Sequence, residues 1–177
     1  MQEIAMNILD IVYNSIKAKA KLIKILIIDS ILENVISVEI IDDGCGMDEA
    51  TVEKVTSPFY TTRTTRKVGL GVPLFKENVE ATGGHFLIES EPGKGTRIMG
   101  SFVKDHLDTP PMGDIIATMV TLLQANADID YLFKYRTDEN EFVLDTKEVK
   151  QMLDGVPINE PEIIIWLKDY MKEGINL

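Results

Sequence analysis

Asp42-Asp-Gly-Cys-Gly46 closes the apolar run 35–41, and a carboxylate set beside bare backbone suits a flat ligand. An ionised carboxylate only accepts hydrogen bonds, so Asp42 suits a donor of fixed direction, such as the exocyclic amino group of adenine. Gly44 and Gly46 remove the side chains that would keep a base away. Asp-Gly is also a common turn pair, so a plain strand-ending turn is the competing reading.

Three further segments carry chemistry of the same kind. Asn7, Asp10 and Asn14 stand three and four residues apart, which makes one polar stripe on a helix. The amide oxygen of Asn14 is a hard ligand of the kind Mg²⁺ takes beside phosphate oxygens and water. Asp10, one turn earlier, is spaced to orient or deprotonate a water or hydroxyl. A solvated helix face accounts for the same stripe. Val68-Gly-Leu-Gly-Val72 sets two glycines just before a helix start, where free N–H groups and the helix dipole favour an anion. No Walker loop occurs in the chain, and the spacing does not fit a dinucleotide-binding fingerprint. Ahead of it, Thr61-Thr-Arg-Thr-Thr-Arg-Lys67 offers hydroxyls and cations with no acid, which reads as a phosphate lid or as a surface loop. Gly93-Lys-Gly-Thr96 brings a hydroxyl to a strand start, where it can share a water with Asp42 and a base; alone it is a turn.

The elements that must position these residues follow from periodicity. Ile4, Ile8, Ile11, Val12 and Ile16 recur at helical spacing, which predicts a helix over 3–20. Strands are expected at 22–29, 35–41, 85–91 and 96–103, the last two joined by Pro92-Gly-Lys-Gly95. A short helix is expected over 48–55, and 56–68 has no clear period. The next helix holds Pro73 in its first turn and stops at Gly83-Gly84. Asp108-Thr-Pro-Pro-Met112 reads as a linker. Beyond it lie a helix over 112–126, a hairpin from strands 131–136 and 141–145, and helices over 146–153 and 160–172. The expected division is residues 1–105 as one domain and 112–177 as a small α+β unit.

Composition bounds the rest. The chain has 177 residues, is 45% hydrophobic and carries a net charge of −11. Residues 104–177 hold 7 Lys and Arg against 15 Asp and Glu. Nucleic acid and anionic membranes are therefore poor partners, and a basic or mixed protein surface is a better one. A solvated acidic face explains the same charge. No apolar run reaches the roughly 20 residues that span a bilayer, and no secretory signal precedes the first helix. A single cysteine, Cys45, allows no internal disulfide and suits a reducing cytoplasm.

The order Asp-x-x-x-Asn, Asp-x-Gly-x-Gly, Pro-Phe-Tyr-Thr-Thr, Gly-Leu-Gly and Gly-x-Gly-Thr resembles the ordered nucleotide-binding boxes of the GHKL superfamily. That superfamily includes DNA gyrase B, Hsp90, histidine kinases and MutL. The resemblance covers residues 1–103. The stretch 57–63 is most similar to the histidine-kinase branch, and Asn14-Ser-Ile-Lys-Ala18 is similar to the MutL pattern. It implies the Bergerat ATP-binding fold: a two-layer α/β sandwich, with a mixed sheet covered on one face by helices and ATP·Mg²⁺ between helices and lid. Asn14 would coordinate Mg²⁺, and Lys17 in the same segment would join the nucleotide-binding set. Asp42 would bind the adenine amino group, with Gly44, Gly46 and Met47 lining the base pocket. Phe59, Tyr60, Thr61, Thr62, Arg63 and Lys67 would form the lid. Gly69 and Gly71, within Val68, Leu70 and Val72, would contact phosphates, and Thr96 would support the adenine. Asp10 stands where hydrolytic members carry a glutamate, one methylene longer.

Histidine kinases carry a phosphoacceptor histidine on a helical hairpin ahead of this domain, and here the sequence opens on the first helix. His85 reads as a packed strand histidine and His106 as a linker residue. The resemblance therefore implies a stand-alone kinase subunit that phosphorylates or regulates a separate protein, as in anti-sigma-factor serine kinases. The alternatives are a non-catalytic module that senses ATP against ADP and a slow ATPase using Asp10. No oligomeric state follows.

Overall fold

The computed structural model describes residues 3–57 and 70–176. The first helix, α1 (Ile4–Lys17), buries Ile4, Ile8, Ile11 and Val12 on one side. It ends short of the expected residue 20 because Lys19 takes a left-handed φ of 62°. The chain then enters β1 (Leu22–Ser30), turns through Asn34, also left-handed, and returns as β2 (Val35–Asp42). Alternation in β2 buries Ile36, Val38, Ile40 and Asp42, so the carboxylate ends a strand on the helix-covered face. Next come α2 (Glu49–Thr56), whose N-cap Asp48 accepts the Thr51 N–H at 2.8 Å, and α3 (Gly71–Ala81). Gly83, at φ 74°, releases the chain into β3 (His85–Glu91), which pairs with β4 (Gly95–Val103). β4 lies antiparallel to β2 with Thr96 directly opposite Asp42. The register therefore brings two of the expected site residues together.

The rest is α4 (Ile115–Ala125), β5 (Asp130–Thr137), β6 (Glu141–Asp145), α5 (Thr146–Met152) and α6 (Pro161–Ile175). The sheet is mixed and six-stranded, ordered β3-β4-β2-β1-β5-β6. β5 runs parallel to β1, with Leu22 opposite Asp130 and Asp29 opposite Thr137. The C-terminal hairpin thus extends the same sheet, and one core runs from Ile8 and Ile25 through Phe133 to Leu167 and Met171. The linker folds back as well. The carbonyls of Pro111 and Met112 accept the N–H groups of Ile4 and Ala5 at 2.9 and 2.8 Å, donors that a helix start leaves unpaired. No helix among the described residues is long and apolar enough to cross a membrane.

Asp138, between β5 and β6, fastens the β1–β2 turn. Its carboxylate accepts the Ser30 hydroxyl and the N–H groups of Ile31 and Leu32. The Ser30 hydrogen bond, foremost, holds its carboxyl below the usual range. A lowered folded pKa contributes stability above the unfolded value of about 3.9, lost as pH falls through the folded one. Asp138→Asn is therefore expected to lower the melting temperature at neutral pH and to converge with the natural chain in acid. Thermal melts at neutral pH and below the carboxylate range check this; a constant offset would contradict it.

Candidate functional site

A cavity of about 240 Å³ opens between α1 and the ends of β2 and β4. Ile11, Ala18, Val55, Val72 and Ile98 give it apolar walls, while Asn14, Ser15, Asp42 and Thr96 supply its polar groups. Cys45, Gly46 and Met47 complete the lining. Drug-sized ligands occupy roughly 300–1,000 Å³. This cavity is smaller, so it suits one flat base, with anything larger extending outside.

Asp42 is only 8% exposed, and both of its oxygens are held. Oδ2 accepts the Ser15 hydroxyl at 2.6 Å, and Oδ1 accepts the Gly44 N–H at 2.9 Å. Each carboxylate oxygen has a second lone pair, so the group is fixed in rotation yet still able to accept from a ligand. Asp43 does different work. Its Oδ1 accepts the N–H groups of Lys21 and Leu22 at 2.7 and 2.9 Å, tying the motif to the start of β1. Strand alternation separates the neighbours, and Asp42 is the one that faces the cavity.

The glycines act chiefly through backbone contact. A Cβ on Gly46 (φ 66°) would lie 2.0 Å from the Glu91 carbonyl oxygen, and one on Gly95 (φ 102°) 1.9 Å from that of Asp42. This closeness joins the motif to the β3–β4 turn, where the Gly93 N–H donates to the Cys45 carbonyl at 2.7 Å. Gly44 makes room for Ala18, whose Cβ would lie 2.8 Å from an added Cβ, and does not line the cavity. Cys45 is an exposed free thiol.

Two site residues escaped the sequence reading. Ser15 is a hydroxyl on the otherwise apolar stripe Ile4-Ile8-Ile11-Val12, and that misfit was its signal. Ser90 gave none: it is one serine in a strand whose pairing had to be known. Its Oγ accepts the Met47 N–H at 2.8 Å, donates to the Gly95 carbonyl at 3.0 Å and lies 2.9 Å from Thr96 Oγ1. Ser90 thereby fixes the Thr96 hydroxyl beside Asp42.

The polar stripe of α1 divides. Asn7 is fully buried, with its Nδ2 donating to the Glu3 carbonyl at 3.3 Å. Asn14 is half-buried and lines the cavity. Asp10 is half-buried against the start of α3, where a Cβ on Gly71 would sit 2.9 Å from its own Cβ. Lys17 is exposed and does not line the cavity. Val72 lines it, whereas Leu70 and Gly71 lead into α3 outside it. Phe59 to Arg63 and Lys67 to Gly69 lie outside the described residues. Both histidines stand at the far end of the β3–β4 hairpin from Thr96: His85 opposite Ser101, and His106 beyond Val103. Among the described residues no group of three His, Cys, Asp or Glu is placed to hold a metal ion. One neutral amide oxygen, from Asn14, fits Mg²⁺, which takes most of its ligands from phosphate and water.

Residues 2–106 match the family of histidine kinase-, DNA gyrase B-, and HSP90-like ATPases, and the chain belongs to that family. It is an ATP-binding, kinase-like domain. Among its relatives, a putative sensor protein of Shewanella frigidimarina is 33% identical over 99 residues, 55% of this chain and 15% of the sensor. The anti-sigma F factor of Caldanaerobacter subterraneus is 36% identical over 69 residues, 38% of this chain and 44% of that protein. The chain spans less than half the length of either relative. A crystal structure of the N-terminal domain of a DNA repair protein superposes with a TM-score of 0.57 at 16% identity, over 82% of this chain and 53% of that one. That coverage exceeds the family-matched segment, so the shared fold takes in part of the C-terminal region.

Proposed function

We propose that the chain is a kinase subunit that binds ATP·Mg²⁺ and transfers phosphate to, or thereby regulates, a separate protein in the cytoplasm. The observation that carries this is Asp42, held on both oxygens beside an apolar cavity of base size. In this reading Asp42 accepts from the adenine amino group, and Thr96, fixed by Ser90, supports the same base. Met47 and Val72 cover its faces. The phosphates lie outside the cavity, toward Gly71 at the start of α3, where the helix dipole favours anions. Asn14 would hold Mg²⁺, which neutralises phosphate charge when bound. The remote position of both histidines, together with the likeness to an anti-sigma F factor, supports an acceptor on another chain. The free Cys45 fits a reducing compartment.

Asp10 supports a second reading. It lies on α1 against the start of α3, a position from which a carboxylate can orient a water for slow hydrolysis. Incubation with γ-labelled ATP and Mg²⁺, alone and with lysate, separates the readings. Label moving to a lysate protein supports the kinase. Free phosphate that vanishes in Asp10→Ala supports hydrolysis. Binding with neither outcome supports a nucleotide sensor.

Ser15→Ala removes a donor from buried Asp42. It is expected to cost about 1–2 kcal/mol of stability in thermal melts, and to weaken ATP binding in calorimetric titration below that melting temperature. Unchanged affinity would remove Ser15 from the site.

A further inference from the structure

The helix α6 is anchored on one side and, among the described residues, unpartnered on the other. Ile164, Leu167, Met171 and Ile175 are buried beneath it. On the outward side, Glu162, Asp169 and Glu173 recur at helical spacing and form an exposed ridge of carboxylates. Beside that ridge Trp166 and Tyr170 stack, with ring centroids 5.4 Å and planes 7° apart, and remain 49% and 42% exposed. Tyr170 is braced from behind by an edge contact with Phe142 at 5.3 Å. The aromatic pair is therefore ordered before any partner arrives, which reduces the entropy cost of binding there. Trp and Tyr are enriched at interface hot spots.

We propose that this outer face of α6 docks a basic segment of a separate protein, one that presents Arg or Lys beside an apolar side chain. This rests on the reading above that the chain acts on a protein partner, and it names the surface and the partner's chemistry. Charge selects the occupant. A two-fold contact between copies of this chain would set the carboxylate ridge against itself. Nucleic acid and anionic lipid are repelled by the ridge, and residues 104–177 carry 7 Lys and Arg against 15 Asp and Glu. Lys168 and Lys172 lie on the flank away from Trp166 and Tyr170, with Lys172 three residues from Asp169, so the carboxylates beside the aromatic pair outnumber the cations. A guanidinium or ammonium group would pair with Glu162, Asp169 or Glu173 and rest on the open face of Trp166 or Tyr170.

The test is fluorescence anisotropy on the full chain with a labelled amphipathic Arg/Leu peptide and its Glu/Leu counterpart. Saturable binding of the Arg/Leu peptide is expected, weakened at least about tenfold by Trp166→Ala with Tyr170→Ala. Glu162→Lys with Asp169→Lys and Glu173→Lys should weaken it similarly. Reversal of the exposed charges Glu33, Glu53 and Asp128 should leave it unchanged. The proposal is overturned if the Arg/Leu peptide does not saturate or if the Glu/Leu peptide binds equally. It is overturned too if the remote reversals weaken binding as much as the ridge reversals do. ATP affinity of the ridge variants, measured by calorimetry, distinguishes this failure from failure of the nucleotide reading, because α6 does not line the cavity.

Discussion

Asp42→Asn is expected to weaken ATP binding roughly 10- to 150-fold, the equivalent of about 1.5–3 kcal/mol for a charge-assisted hydrogen bond. The substitution preserves shape, so the Gly44 N–H can still donate to the amide oxygen, and the Ser15 hydroxyl can turn to accept from the new amide nitrogen. The melting temperature should change little. What is lost is a charged group that only accepts. Discrimination should fall with affinity, because guanine presents an oxygen where adenine presents its amino group, and an asparagine amide can donate to it. Calorimetric titration with ATP and GTP checks both effects. If ATP affinity is unchanged in Asp42→Asn, the adenine assignment is wrong.

The second large effect is steric. Gly46→Ala and Gly95→Ala each place a methyl within about 2 Å of a backbone carbonyl oxygen, at residues with left-handed φ. Neither the Glu91 nor the Asp42 carbonyl can rotate away as a side chain would. Backbone strain alone is of order 1–3 kcal/mol. With the overlap added, each variant should lose at least about 2–3 kcal/mol, a fall of roughly 5–10 °C for a domain of this size. ATP binding should be lost because the contact between the motif and the β3–β4 turn opens. Gly93→Ala is the control. Its φ is 79°, but nothing lies within 4 Å of an added Cβ, so it should be strained mildly and still bind. Equal behaviour of all three variants in thermal melts would contradict the close-approach argument.

These contrasts explain what was legible in the sequence. Alternation over 35–41 and the helical spacing of Ile4, Ile8 and Ile11 identify β2 and α1, because each buries one face against the same core. The ordered motifs pick out Asp42 and Thr96, and the register sets them opposite each other. The reason for the glycines was only half legible: composition suggested room for a ligand, whereas Gly46 and Gly95 make room for backbone. Ser90 was invisible because its role needs the β3–β4 pairing and the Met47 N–H, far apart in sequence. The C-terminal hairpin was legible as a hairpin but not as part of the sheet. Parallel pairing of β5 with β1 joins distant strands and leaves no turn signature. The proline-rich stretch 108–112 read as a linker, yet its carbonyls cap α1.

The most direct measurement is nuclear magnetic resonance of the isotope-labelled full chain titrated with ATP and Mg²⁺. Amide shifts are expected to concentrate at residues 42–47 and 90–96 and at Asn14 and Ser15 on α1, with α6 unmoved. Shifts confined to other surfaces, or none at saturating ATP, would contradict a nucleotide site at Asp42.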